Sequence, residues 1–207
     1  MFIARRSPWK FALLIFFATI FLAGIALLVV SAVGGWSKVR ELNQATPSYS
    51  ALELATRAAE QQRAGDMNGA ENLYEQALVK DAKLEYRAQL ALVKYRLKKY
   101  EEAISGYQEL IKAETNVAFA WNGIGNSYRD WATLDEESRQ LRLGEAERAY
   151  RKAISADIGY VVAYTNLAIL YEDQGKIQDA VNIAKQGLEA TKRDELSEII
   201  KRLEKKL

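Results

Sequence analysis

Trp121-Asn122-Gly123-Ile124-Gly125-Asn126-Ser127-Tyr128 decides the fold. An aromatic is followed three residues on by an aliphatic, then at once by a small residue, then three further on by a second aromatic. That is one helical face with a gap at Gly125 through which another helix can approach. The partner helix follows at Ala146, Tyr150 and Ala153: small, then aromatic four later, then small again. The same phase appears at Ala70, Tyr74, Ala77, at Ala103, Tyr107, Leu110 and at Ala180, Ala184, Gly187. The leading alanines are separated by 33, 43 and 34 residues. A period of this length predicts a stack of helical hairpins, none of which buries its apolar face alone.

Trp121 to Tyr128 with its partner helix, and Tyr164, Leu167, Ala168, Tyr171, Gly175 and Ala180, resemble the tetratricopeptide repeat. The earlier copies, Leu54 and Ala58, then Arg87, Leu90 and Ala91, follow the pattern more loosely. The resemblance covers roughly residues 51–192. The proline that often closes a repeat is absent, and Ala82, Thr115, Ile158 and Lys192 stand in its place. The resemblance implies an all-α solenoid over 51–191, with units at about 51–83, 84–117, 118–160 and 161–191.

The third unit carries about nine extra residues, near 133–143. Thr133 with Glu136 forms a capping-box pattern, which predicts a helix start in the insert. Gly144 leaves two forms open, a short separate helix or a longer second helix. Residues 192–207 place Leu196, Ile199, Ile200, Leu203 and Leu207 on one stripe with lysines and arginines around it. That predicts a capping helix whose outer face is polar, with Thr191 and Asp194 at its start.

Phe11 to Val33 is 23 residues without a charge, flanked by Trp9 and Trp36. About 20 apolar residues span a bilayer core, so a transmembrane helix is expected over 11–33, after a basic flank at 1–10. A cleaved signal ending near Val30-Ser31-Ala32 would give a secreted protein instead, but signal cores run only about 7–15 residues. Residues 1–40 hold five basic and no acidic side chains. Arg5, Arg6 and Lys10 outnumber Lys38 and Arg40, so the N-terminus is expected in the cytoplasm and the repeats outside it. Thr19 and Ala23 offer a small-residue contact for a homo-oligomer. Gly34, Gly35 and Pro47 mark 34–50 as a linker.

Beyond residue 40 there are 24 basic and 27 acidic side chains. A near-neutral, mixed surface argues against nucleic acid as a partner. The chain has neither cysteine nor histidine, which removes thiolate chemistry and the commonest general base and metal ligand. Gly123-Ile124-Gly125 lacks the strand and the lysine of a phosphate loop. The run Asp135, Glu136, Glu137 reads as a solvated helix start. No cofactor and no enzymatic activity are expected.

In the family that the chain resembles, first helices of successive repeats line a groove for a peptide or a partner helix. On this sequence that face comprises Ala88, Leu92, Tyr95 and Arg96, then Phe119, Asn122, Asn126 and Arg129, then Val162, Asn166 and Ile169. Some members grip a terminal carboxylate with two asparagines and several cations. Asn126 and Asn166 hold the asparagine places, but Asn122 replaces the lysine and no fifth repeat follows, so that grip is not expected. The function expected is a membrane-anchored adaptor holding a membrane-associated protein, which assists assembly of a membrane complex. A self-associating scaffold is the alternative.

Overall fold

Helix boundaries follow from local chemistry. Ser50 and Glu53 form a reciprocal capping box, with Glu53 N donating to Ser50 Oγ at 3.2 Å and Ser50 N donating to Glu53 Oε2 at 2.8 Å. This opens α1 (Ala51–Ala64), and Gly65 closes it at φ +88°, a left-handed turn that glycine adopts without steric cost. Asp66 Oδ1 accepts from Gly69 N at 2.9 Å and caps α2 (Met67–Lys80). The chain continues as α3 (Leu84–Arg96), α4 (Tyr100–Lys112), α5 (Val117–Trp131), α6 (Arg139–Ala156), α7 (Val161–Asp173), α8 (Ile177–Thr191) and α9 (Glu195–Glu204).

This computed structural model describes residues 48–207. The basic flank, the expected span over 11–33 and residues 34–47 of the linker lie outside them. Among the described residues no helix is long and apolar enough to cross a membrane.

Successive helices pack antiparallel as α1/α2, α3/α4, α5/α6 and α7/α8, and α9 lies on α8 and the end of α7. Three apolar clusters run along the stack. The first joins Leu54, Ala58, Ala70, Tyr74 and Val93, the second Ala91, Ala103, Tyr107 and Ile124, and the third Tyr150, Tyr164, Leu167, Ala184 and Leu196. Tyrosines of the second helices sit where glycine leaves space. A Cβ on Gly123 would lie 2.4 Å from Tyr107 Cζ, and one on Gly125 would lie 2.5 Å from Tyr150 Cε1. The small residues of the motif are therefore seats for rings.

The insert differs from expectation. Residues 133–138 form turns, and no helix begins at Thr133. Thr133 Oγ1 instead donates back to the Asp130 carbonyl at 2.6 Å. The Asp135 carboxylate takes the free amides, of Glu137 at 3.1 Å and Ser138 at 3.3 Å, which holds a turn before the helix. The extra length then goes into α6, whose 18 residues carry Gly144 inside. Arg142 staples the insert, with its guanidinium 4.1 Å from the Trp131 ring centre and Nη1 2.8 Å from Asp135 Oδ2.

The cap also starts later than its sequence pattern. Thr191 Oγ1 donates to the Gly187 carbonyl at 2.8 Å and so belongs to the end of α8. Lys192 turns the chain at φ 56°. Leu196, Ile200 and Leu203 are buried and Ile199 is partly buried, whereas Leu207, past the helix end, is 67% exposed. Glu172 at the end of α7 holds the cap, accepting from Arg202 Nη1 and Nη2 at 2.6 and 2.8 Å and from Lys206 Nζ at 2.6 Å.

Candidate inner-face groove

The first helices of the units meet one another on one side of the stack, α3 against α5 and α5 against α7. Two polar links cross between them. Tyr95 on α3 donates its hydroxyl to Asp130 Oδ2 on α5 at 2.5 Å, and Arg129 Nε donates to Asp130 Oδ1 at 3.1 Å. Burial, followed by the hydrogen bond to Asp130, pushes the Tyr95 hydroxyl up to about 12, so it stays a donor at neutral pH.

The second link is a ladder of amides. Asn166 Nδ2 on α7 donates to Asn122 Oδ1 at 2.9 Å and to Asn126 Oδ1 at 3.2 Å, both on α5. Tyr150 on α6 also donates its hydroxyl to Asn126 Oδ1, at 2.8 Å. Burial keeps Tyr150 protonated far above its ordinary value. Asn122 is only 5% exposed.

Each sequence-predicted groove residue therefore has a definite place. Tyr95, Asn122, Asn126 and Asn166 form internal braces between units, and Arg129 holds Asp130 on its own helix. Phe119 is partly buried with its ring edge-on to Tyr107, the centroids 5.8 Å apart. Arg96 is exposed, and Val162 is 46% exposed. Leu92 and Ile169 are partly buried. Ala88, also on the predicted face, is buried in the core. Sequence reasoning missed Asp130 and Tyr150, the acceptor and donor that complete the two links. Asp130 follows Arg129 on the same face, and its repeat-equivalents Arg63, Arg96 and Asp173 supply the signal that could have found it.

Beside this face a row of rings runs from Tyr95 through Tyr100 and Trp131 to Tyr128, with centroids 6.3, 6.3 and 6.4 Å apart. Trp131 within this row also carries the Arg142 guanidinium of α6, which ties the insert to the rings. Among the described residues no group of histidine, cysteine or carboxylate side chains is placed to hold a metal ion.

Residues 149–182 match the family model described as tetratricopeptide repeat. This stretch runs from the second half of α6 through α7 into α8. No curated protein matches the sequence. Among solved structures, a thermophilic tetratricopeptide protein from Thermus thermophilus is 17% identical. It superposes with a TM-score of 0.62 over 74% of this chain and 81% of its own. MamA is 24% identical with a TM-score of 0.55, covering 73% of this chain and 83% of its own. MamA from Desulfovibrio magneticus, from residue 41 to its end, is 15% identical with a TM-score of 0.55, covering 68% and 75%. These likenesses are of fold. The described residues form a solenoid of helical hairpins with the tetratricopeptide-repeat fold.

Proposed function

We propose that the chain is an adaptor that holds a partner protein in its inner-face groove beside a membrane in which residues 11–33 anchor it. The observation that carries the reading is the composition of that face. Leu92, Phe119, Val162 and Ile169 are left partly exposed on a frame whose polar groups brace one another. A rigid face with apolar side chains open to solvent suits a partner's apolar side chains. The uncharged run of 23 residues supports the anchor. Anchoring confines both molecules to one surface and raises their effective concentration, which suits assistance in the assembly of a membrane complex.

The test is photo-crosslinking in cells from a benzophenone side chain at Leu92, followed by mass spectrometry of the membrane fraction. A distinct membrane-associated protein, lost on Val162→Asp, is expected. Crosslinks only between copies of the chain would replace the adaptor with the self-associating scaffold. Topology has a simple readout because the chain holds no cysteine. With an N-terminus in the cytoplasm, a cysteine placed at the exposed Lys201 is labelled by a membrane-impermeant maleimide in intact cells. Labelling only after lysis would reverse the orientation.

A further inference from the structure

On the inner face Asp130 and the asparagines of α5 and α7 are paired, whereas the arginines of the two earlier units meet no carboxylate among the described residues. The same place near the end of α1, α3, α5 and α7 is taken by Arg63, Arg96, Asp130 and Asp173, at steps of 33, 34 and 43 residues. Asp130 marks this place as inner, because Tyr95 reaches it from the preceding unit. Asp130 is satisfied by Tyr95 and Arg129. At the first boundary the chemistry is inverted. Arg96 forms no hydrogen bond or ion pair among the described residues, and the residue equivalent to Tyr95 in the unit before it is the uncharged Gln62. Arg63 donates its Nε to the Ala59 carbonyl of its own helix at 3.3 Å and meets no carboxylate among the described residues. Both arginines are exposed. A guanidinium with spare donors is matched to a carboxylate in charge and in geometry.

The paired asparagines say what form the occupant takes. An extended segment brings unpaired backbone N–H groups and needs side-chain acceptors for them. The carbonyls of Asn122 and Asn126 are already taken by Asn166, and that of Asn126 by Tyr150 as well. A helix arrives with its backbone bonds made internally and asks only for apolar contact and charge at its rim.

We propose that the groove takes an acidic amphipathic helix of a partner protein, its carboxylates on Arg63 and Arg96 and its apolar stripe on Leu92, Phe119, Val162 and Ile169. The proposal rests on the groove reading above and specifies its ligand.

The experiment is display selection of random segments of about 16 residues, roughly 24 Å as a helix, on the detergent-solubilised full chain. The winning peptide is then synthesised, labelled and titrated by fluorescence anisotropy. Winners are expected to carry Asp or Glu beside apolar residues at helical spacing. The pair Arg63→Glu and Arg96→Glu, both at exposed positions, should weaken binding by about tenfold or more. Lysines in place of the peptide's acids should restore binding to that pair, and a central proline should abolish binding to the natural chain. Basic or neutral winners, indifference to the arginine pair, or tolerance of the proline would overturn the proposal. Winners lost on Val162→Asp but not on the arginine pair would leave the groove reading standing and remove this ligand from it. Winners indifferent to all these changes, or no enrichment at all, would refute the groove reading and the proposal with it.

Discussion

Gly125→Ala tests whether the motif's small residues are seats for rings. On an exposed helix surface this change stabilises by about 1 kcal/mol, since alanine is the better helix former. Here the new Cβ would stand 2.5 Å from Tyr150 Cε1 and 2.6 Å from Cδ1, about 1 Å inside ordinary carbon contact. Tyr150 is fully buried and its hydroxyl is tied to Asn126, so the ring cannot turn away without giving up that bond. Overpacking of this kind costs about 1–3 kcal/mol, and loss of the hydrogen bond adds about 1 kcal/mol. Against the propensity gain, the net loss is about 2 kcal/mol. Gly144→Ala is the control. It lies in α6 with no atom within 4 Å of the added Cβ, and should gain about 0.5–1 kcal/mol. Urea unfolding of the two variants, followed by circular dichroism at unchanged slope, should move the midpoints in opposite directions. If Gly125→Ala stabilises as Gly144→Ala does, Tyr150 is not seated on Gly125, and the account of why this motif packs is wrong.

Asn166→Ala should lower stability by about 1–3 kcal/mol in thermal melts, because it leaves the carbonyl of the buried Asn122 without its donor; a neutral result would mean that the amide ladder is not a brace. The hydrogen bond from Lys206, with further help from Arg202, holds the Glu172 carboxyl below its ordinary 4.5. A depressed carboxyl contributes fully above 4.5 and loses its contribution as pH falls through the lower folded value. Hydrogen exchange along Glu195–Glu204 should therefore rise on acidification below that range, and Glu172→Gln should show the fast exchange already at neutral pH. Tyr95 and Tyr171 are pushed up to about 12, by burial first and then by Asp130 and Glu147 respectively, and burial raises Tyr107 and Tyr150 further. A raised hydroxyl contributes fully below about 10 and loses its contribution as pH rises through the folded value. Phenolate absorbance should show these four ionising last among the 11 tyrosines, in step with loss of helical signal; simultaneous titration near the ordinary tyrosine value of about 10, with the helices intact, would contradict their burial.

The solenoid was legible because its signal is periodic. Gly125 with Tyr150 and Gly187 with Tyr164 are repeated pairings of small residue and ring, and repetition separates them from chance spacing. The groove face was legible as a set of positions but not as a set of bonds. Asn122 and Asn166 lie 44 residues apart, and whether their amides meet depends on the angle between units, which no local pattern encodes. The insert misled for a related reason. Thr133 and Glu136 satisfy the capping pattern, yet Thr133 turns its hydroxyl back to the Asp130 carbonyl, and Asp135, fixed by Arg142, holds the Glu137 and Ser138 amides in a turn.

Alternation of direction gives the insert a fixed address. Each helix reverses the last, so odd-numbered helices end on the edge of the stack away from the one where Tyr49 enters. The insert follows α5, and α5 has 15 residues, so the insert stands about 22 Å along the helix axis from the entering edge. Exposed Leu134 and Leu141 ride on that far edge. Parity alone thus separates two margins of the solenoid, one that carries Tyr49 and one that carries these leucines, so a molecule touching the leucines works a full helix length from the first turn of α1.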